Sequence, residues 1–261
     1  MSELTILFLL LGSFSGFVAG LLGIGGGLII VPILLYLLAP SIDQSFLMHT
    51  SIGTALAVIV FTSISSLYAH HRHGAILWRN FVKLTPTILL GSYSGAILAK
   101  YLSFDFLRVF FALFEICVAL IMWFGISASG HADKLSRWVW SFAGYVIGLI
   151  SAMVGIGGGT MTTPFLVYNN IQIKNAIATS AAVGMPIAIA GSIGFMVAGS
   201  SQVFQTGGIG FVNFEALITI AVSSVFFAPL GAKVTHLIDS NKLKKGFSIF
   251  LAFLAAMVIL F

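Results

Sequence analysis

Two glycine runs, Gly23-Ile-Gly25-Gly26-Gly27 and Gly155-Ile-Gly157-Gly158-Gly159, each precede a proline by five residues, at Pro32 and Pro164. Gly25, Gly26, Gly27, Gly157, Gly158 and Gly159 bring no side chains, so the chain can turn tightly there and leave backbone N–H groups seeking partners. A helix that starts at the end of such a turn carries roughly half a positive charge at its first N–H groups, which suits an oxyanion. Segments starting near Leu28 and Thr160 would present two such ends, which could hold one anion between them without Lys or Arg. The plainer reading is that the glycines only let helices pack closely. A nucleotide loop does not fit, because no strand precedes either run, no Gly-Lys-Ser/Thr follows, and no third dinucleotide glycine falls in place.

Hydroxyl residues gather close by. Thr160, Thr162 and Thr163 follow the second glycine run, while Thr50, Ser51 and Thr54, and again Thr179 and Ser180, open a later helix. Each can donate to an anion or bond back to its own helix, and the sequence leaves both readings open. Glu115 is the carboxyl group set deep within an apolar run, and an intramembrane acid is a candidate proton carrier. A neutral, hydrogen-bonded structural Glu is the other reading, since Leu251 takes its place further along. His49, just before Thr50, could relay protons near neutral pH or be a plain interfacial histidine. Glu215 sits near a helix start, where the dipole favours it. His70, His71, Arg72 and His73 match no zinc spacing and read as interfacial caps. Cys117 is alone, so there is no disulfide framework and no metal knuckle. No metal site, cofactor or clustered nucleophile and base is expected, which argues against an enzyme.

These residues lie in a chain of 261 residues that is 59% apolar and 7% charged, where soluble domains carry about 25% charged residues. Apolar runs such as 4–39, 45–69, 84–99, 109–130, 138–173, 176–214, 216–232 and 246–261, uncharged apart from Glu115, approach or exceed the ~20 residues that span a bilayer as helix. Alternating strand patterning is absent, so the expectation is an all-α polytopic membrane protein and not a barrel. The net charge of +5 would suggest nucleic acid for a soluble chain, but here the cations sit between apolar runs and read as topology signals. No nucleic-acid partner is expected. The first apolar run has only Glu3 before it and outlasts a signal-peptide core, so it is read as part of the fold.

The glycine runs recur at a spacing of 132; Thr50-Ser51 and Thr179-Ser180 recur at 129; Gly74 with Trp78 and Gly210 with Phe214 recur at 136, as do Leu107-Arg108 and Leu243-Lys244. The chain therefore reads as two copies, 1–130 and 131–261, forming one membrane domain. If each first apolar stretch turns back at its glycines, each copy is a broken-helix hairpin followed by three transmembrane helices, giving 8–10 membrane segments in total with the second copy inverted. One side then receives Arg72, Arg79, Lys83, Lys134, Arg137, Lys174, Lys233, Lys242, Lys244 and Lys245, and the other only Lys100 and Arg108. That bias places the rich side in the cytoplasm and both termini outside. If the stretches instead cross once, the copies are parallel and the bias vanishes. Inverted repeats with broken helices are a plan of secondary transporters, with substrate near the midplane.

The paired Gly-x-Gly-Gly-Gly-x4-Pro segments, each followed by a Thr-Ser helix start and a later Gly-x3-Trp/Phe, resemble the TauE/SafE sulfite exporter family across both halves. The resemblance implies an inner-membrane carrier of sulfur-containing anions, such as sulfite, sulfoacetate or related organosulfonates, acting in export and coupled to an ion, proton or sodium. It carries over to Gly23, Gly25, Gly26, Gly27, Pro32, Gly155, Gly157, Gly158, Gly159, Pro164, Thr50, Ser51, Thr179 and Ser180, with Pro32 and Pro164 as helix-break positions. His49 against Ala178 and Leu28 against Thr160 depart from the symmetry.

The expected partners are thus a small anionic substrate, the bilayer and a coupling ion, with the oligomeric state undetermined and a homodimer among the options. The alternatives are an anion channel and a carrier of a different small organic anion. The inverted arrangement makes a topological prediction: in a Cys117→Ala background, a cysteine replacing Gly74 reacts with maleimide only from the cytoplasmic side. Labelling from outside contradicts the inverted arrangement.

Overall fold

The protein is described by a computed structural model covering residues 3–22, 25–72, 74–125, 136–200, 208–234 and 240–261. Gly23, His73 and Lys134 lie outside the described residues, as do the side chains of Lys242 and Lys244. Ten helices appear among them: α1 (Glu3–Leu22), α2 (Gly27–Leu38), α3 (Gln44–Arg72), α4 (Trp78–Ala99), α5 (Phe104–Phe124), α6 (Arg137–Val154), α7 (Gly159–Tyr168), α8 (Ile173–Ala198), α9 (Phe214–Val234) and α10 (Ser240–Leu260). Seven of them, α1, α3, α4, α5, α6, α8 and α9, are long and apolar enough to cross a membrane. This is an all-α polytopic membrane protein, in which only a helix satisfies every backbone group across the hydrocarbon. A two-residue antiparallel ribbon, Gly208–Ile209 with Val212–Asn213, leads into α9 and was not foreseen from the sequence.

Local chemistry sets several boundaries. Ser103 caps α5 by accepting from Phe106 N at 3.2 Å, and Ser136 caps α6 through Val139 N at 3.4 Å. Helices α2 and α7 hold 12 and 10 residues, about 18 and 15 Å at the α-helical rise, so neither reaches across a ~30 Å core. Pro32 and Pro164 do not break these helices: each lies inside its helix, which continues past it. The interruption falls at the glycines before them, and each proline only frees one carbonyl of the preceding turn.

Glycine stripes decide which long helices meet. A Cβ at Gly16 would lie 2.5 Å from Ser224 Cα, and Cβ atoms at Gly12 and Gly20 would collide with the backbones of Ile220 and Ala228. Residue numbers rise together along this seam, so α1 and α9 run parallel. Ser224 Oγ seals it by donating to Gly12 O at 2.8 Å. The same device joins α4 to α6, where a Cβ at Gly95 would meet Leu149 O at 2.5 Å and one at Gly148 would strike Ile88 O. At the centre α3 packs antiparallel on α8, with Gly53 against Phe195 and Gly191 against Leu56. Helix α5 lies along α10, while α2 and α7 pack on α3 and α8 respectively. Large apolar side chains such as Leu90, Phe142 and Phe226 stay exposed on the outside, as a lipid-facing surface requires.

The seams predict unequal effects of one added methyl. Gly91→Ala, whose Cβ would run into Tyr145 O, lowers stability by roughly 1–3 kcal/mol. Gly246→Ala, with nothing within 4 Å, leaves stability unchanged or raises it by about 0.5–1 kcal/mol through helix propensity. Thermal unfolding in detergent reads both, and equal effects would contradict the packing.

Candidate functional site

Both glycine runs form turned tips inside the helix assembly. Helix α6 ends in a Schellman motif, in which Ile156 N donates to Ser151 O at 3.0 Å and Gly155 N to Ala152 O at 3.3 Å. Gly155 itself takes a left-handed conformation at φ 75°, which glycine adopts without penalty. The first tip has Gly25 at φ 82° and Gly26 at φ 76°, and Gly26 is the N-cap residue of α2. A side chain at either position would be strained.

The tips touch. A Cβ at Gly25 would stand 3.5 Å from Gly157 Cα, and one at Gly27 would strike the carbonyl of Gly155. On the far side a Cβ at Gly158 would lie 3.0 Å from Ser180 O and 3.1 Å from Gly184 N. Gly155 backs onto Ile52 of α3, with 3.3 Å between its added Cβ and Ile52 Cα. The two helix starts therefore meet between α3 and α8, in the most buried part of the molecule.

Their first N–H groups are the ones a helix start leaves over. Ile29 N and Ile30 N both donate to Gly26 O, and Thr162 N donates to Gly158 O. The N–H groups of Gly27, Leu28, Gly159, Thr160 and Met161 find no acceptor among the described residues. A helix start always leaves such orphans, and burying them without a partner costs free energy comparable to a lost hydrogen bond. No Lys or Arg is found among the buried residues, so the local positive potential is that of the peptide groups.

The hydroxyls divide into two kinds. Thr50 Oγ1 donates to Phe46 O at 3.0 Å; Thr163 Oγ1 donates to Ser180 Oγ at 2.8 Å, which donates to Ala176 O at 2.6 Å. Thr179 Oγ1 accepts from Leu77 N at 3.0 Å at the start of α4, and Thr54 Oγ1 accepts from Asn213 N at 3.0 Å at the start of α9. These two join each half of the chain to the other. Ser51, Ser151, Thr160 and Thr162 instead have hydroxyls buried without a partner. Thr160 and Thr162 stand in the first turn of α7, Ser151 lies one turn before the second tip, and Ser51 adjoins Ile52. Ser151 went unnoticed in the sequence because its counterpart is Ala19; a serine one turn ahead of a glycine run was the available signal.

Glu115 and His49 lie apart from the tips along their own helices. Glu115 is fully buried on α5 with neither carboxyl oxygen partnered, and His49 is 3% exposed, with Nε2 bonded to Ala99 O at 2.9 Å. No group of three or more His, Cys, Asp or Glu able to hold a metal occurs among the described residues.

A sequence model of the family described as sulfite exporter TauE/SafE matches residues 8–258. A probable membrane transporter protein of Haemophilus influenzae is 38% identical over 254 residues, covering 96% of this chain and 96% of that protein. A probable membrane transporter protein of Methanocaldococcus jannaschii is 27% identical over 245 residues, covering 91% and 89%. The probable membrane transporter protein YdhB of Bacillus subtilis is 27% identical over 238 residues, covering 88% and 90%. No solved structure matches the chain.

The two kinds of hydroxyl respond differently to removal. Thr179→Val strips Leu77 N of its acceptor and lowers ligand-free stability by about 1 kcal/mol, whereas Ser51→Ala leaves no partner behind and shifts it by less than ~0.5 kcal/mol. Thermal unfolding of the two purified variants checks this, and the reverse order would contradict the sorting.

Proposed function

We propose, from the premise that the chain belongs to the sulfite exporter TauE/SafE family, that it is a secondary carrier exporting a small sulfur-containing anion such as sulfite, sulfoacetate or a related organosulfonate. It is a multi-pass membrane transporter; the anion, the export direction and the placement in an inner membrane are the parts proposed. The observation that carries the reading is the pair of touching helix starts, where five N–H groups and the hydroxyls of Ser51, Ser151, Thr160 and Thr162 have no partner among the described residues. Such donors replace an oxyanion's water without a fixed cation, so the anion is held and can also leave.

The carrier is built as an inverted repeat, 1–130 and 131–261. Support comes from the packing: the first helix of each half runs along the fourth helix of the other, and the central α3 and α8 are antiparallel. The cation-rich ends are drawn together as inversion requires. Lys83 of α4 lies 5.2 Å over the Trp140 ring of α6, and Thr179 near the start of α8 holds Leu77 N at the start of α4. On this reading the cation-rich end is cytoplasmic and both termini are outside. Direct contact of the tips suits a carrier in an occluded state better than an open channel, and rocking of one half against the other opens the site to either face.

The test is thermal stability of the detergent-purified chain against sulfite, sulfate, thiosulfate, sulfoacetate, taurine, acetate and chloride. One sulfur anion at about 100 times its dissociation constant adds about 2.7 kcal/mol by linkage, and Ser51→Ala with Thr160→Val removes that gain. Stabilisation by none of the panel overturns the reading.

A further inference from the structure

A cavity of about 710 Å³, with no tip residue in its lining, lies where the turn after α2 and the turn between α4 and α5 meet the end of α8. Lys100 and Ser103 stand on its wall beside the α4–α5 turn, and Phe46, His49 and Phe211 line it on the side of α3 and the ribbon. The His49 ring packs 5.0 Å from the Phe211 ring, which Phe46 stacks against at 5.9 Å. His49 lies three residues, about 4.5 Å of helical rise, before Ile52, which backs Gly155.

The histidine is set in one tautomer. Nε2 faces the carbonyl of Ala99 at 2.9 Å, so it carries the hydrogen, and Nδ1 is left as a buried lone pair without a partner. Any further proton goes to Nδ1 and places a full positive charge on a cavity wall where carbonyls of Leu102 and Ser45 also face the ring. A buried cation needs a counter-charge.

The two carboxylates on the cavity lining, Asp43 and Asp105, are exposed, and neither bonds to the His49 ring. Asp43 accepts from Ser45 N at 2.8 Å and from Ser45 Oγ, and that hydroxyl, followed by the amide, holds its carboxyl below the usual carboxylate range. Asp105 pairs with Arg108 at 3.0 Å. Lys100 has no ion-pair partner among the described residues. The other elements packed on α3 bring Glu115, far along α5, and Glu215 at the start of α9, which holds Thr5 Oγ1 at 3.0 Å; α8 brings only Ala198 to the cavity.

We propose that this cavity is a vestibular anion site in which His49 takes up one proton for each small oxyanion bound, with Lys100 drawing the anion in. The proposal rests on the carrier reading and deepens it. Proton and anion each favour the other's binding by the same factor. The equivalent place in the second half is Ala178, packed with Ala75, Ile76 and Ala182, an apolar contact that takes up no proton. The His49 site therefore has no counterpart at the repeat-related position in the second half.

Calorimetric titration of the full purified chain with sulfoacetate, whose sulfonate and carboxylate both stay ionised between pH 6 and 8, tests this in buffers of different ionisation enthalpy. The expected result is uptake approaching one proton per anion, with affinity falling up to about tenfold per pH unit. His49→Gln, which keeps a donor for Ala99 O, abolishes the uptake and flattens the pH dependence. Lys100→Gln weakens binding and leaves the proton count unchanged. Zero uptake in the unaltered protein, or uptake persisting in His49→Gln, overturns the proposal while the carrier reading stands; should His49→Gln not purify, the proton count of the unaltered protein decides alone. Absence of sulfoacetate binding at every pH also overturns it, and takes the carrier reading with it only if the whole anion panel is silent.

Discussion

Peptide groups in a water-poor interior must find partners, and at the centre of this molecule five N–H groups have none among the described residues. Two helices start there, at Gly27 and Gly159, each about half a bilayer long. A short helix beginning at the membrane surface could satisfy its first N–H groups with water. Beginning between α3 and α8, the two starts instead concentrate N–H donors at one place, and the proposed anion site rests on that concentration. The glycines make this arrangement feasible, because only residues without a Cβ let the first tip lie against Gly155 and Gly157.

The rest of the assembly serves that meeting. If α1 and α6 simply packed on their own halves, nothing would fix the two tips against each other. Instead α1 is locked to α9 and α6 to α4 by glycine stripes, so each hairpin is carried by the opposite half. Two side-chain to backbone bonds, Thr54 to Asn213 and Thr179 to Leu77, repeat the exchange at either end of the central helix pair. Each half thereby sets the position of the other's tip.

Much of this was legible in the residues. Gly-Ile-Gly-Gly-Gly appearing twice with a proline behind it marked both tips, and the length of the apolar runs marked the long helices, because lipid enforces a span that sequence can count. The prolines were misleading: Pro32 and Pro164 looked like breaks but lie within helix, since a short helix tolerates one lost bond near its start. What could not be read was partner choice. Whether Ser51 or Thr50 has a free hydroxyl depends on which carbonyl lies beside it, and neighbouring residues of the same chemistry resolve differently, Thr50 to Phe46 O and Ser51 to nothing. The cavity beside His49 arises from two turns, a helix end and a ribbon remote in sequence, which no local pattern encodes.

The central claim is that an oxyanion sits at the paired helix starts. The most direct measurement is an experimental structure of the detergent-purified protein with selenite, whose selenium scatters anomalously and whose shape follows sulfite. The account predicts an anomalous peak within hydrogen-bond reach of the N–H groups of Leu28 and Thr160. A selenium peak found only elsewhere, with the tips in unaltered contact, would contradict it.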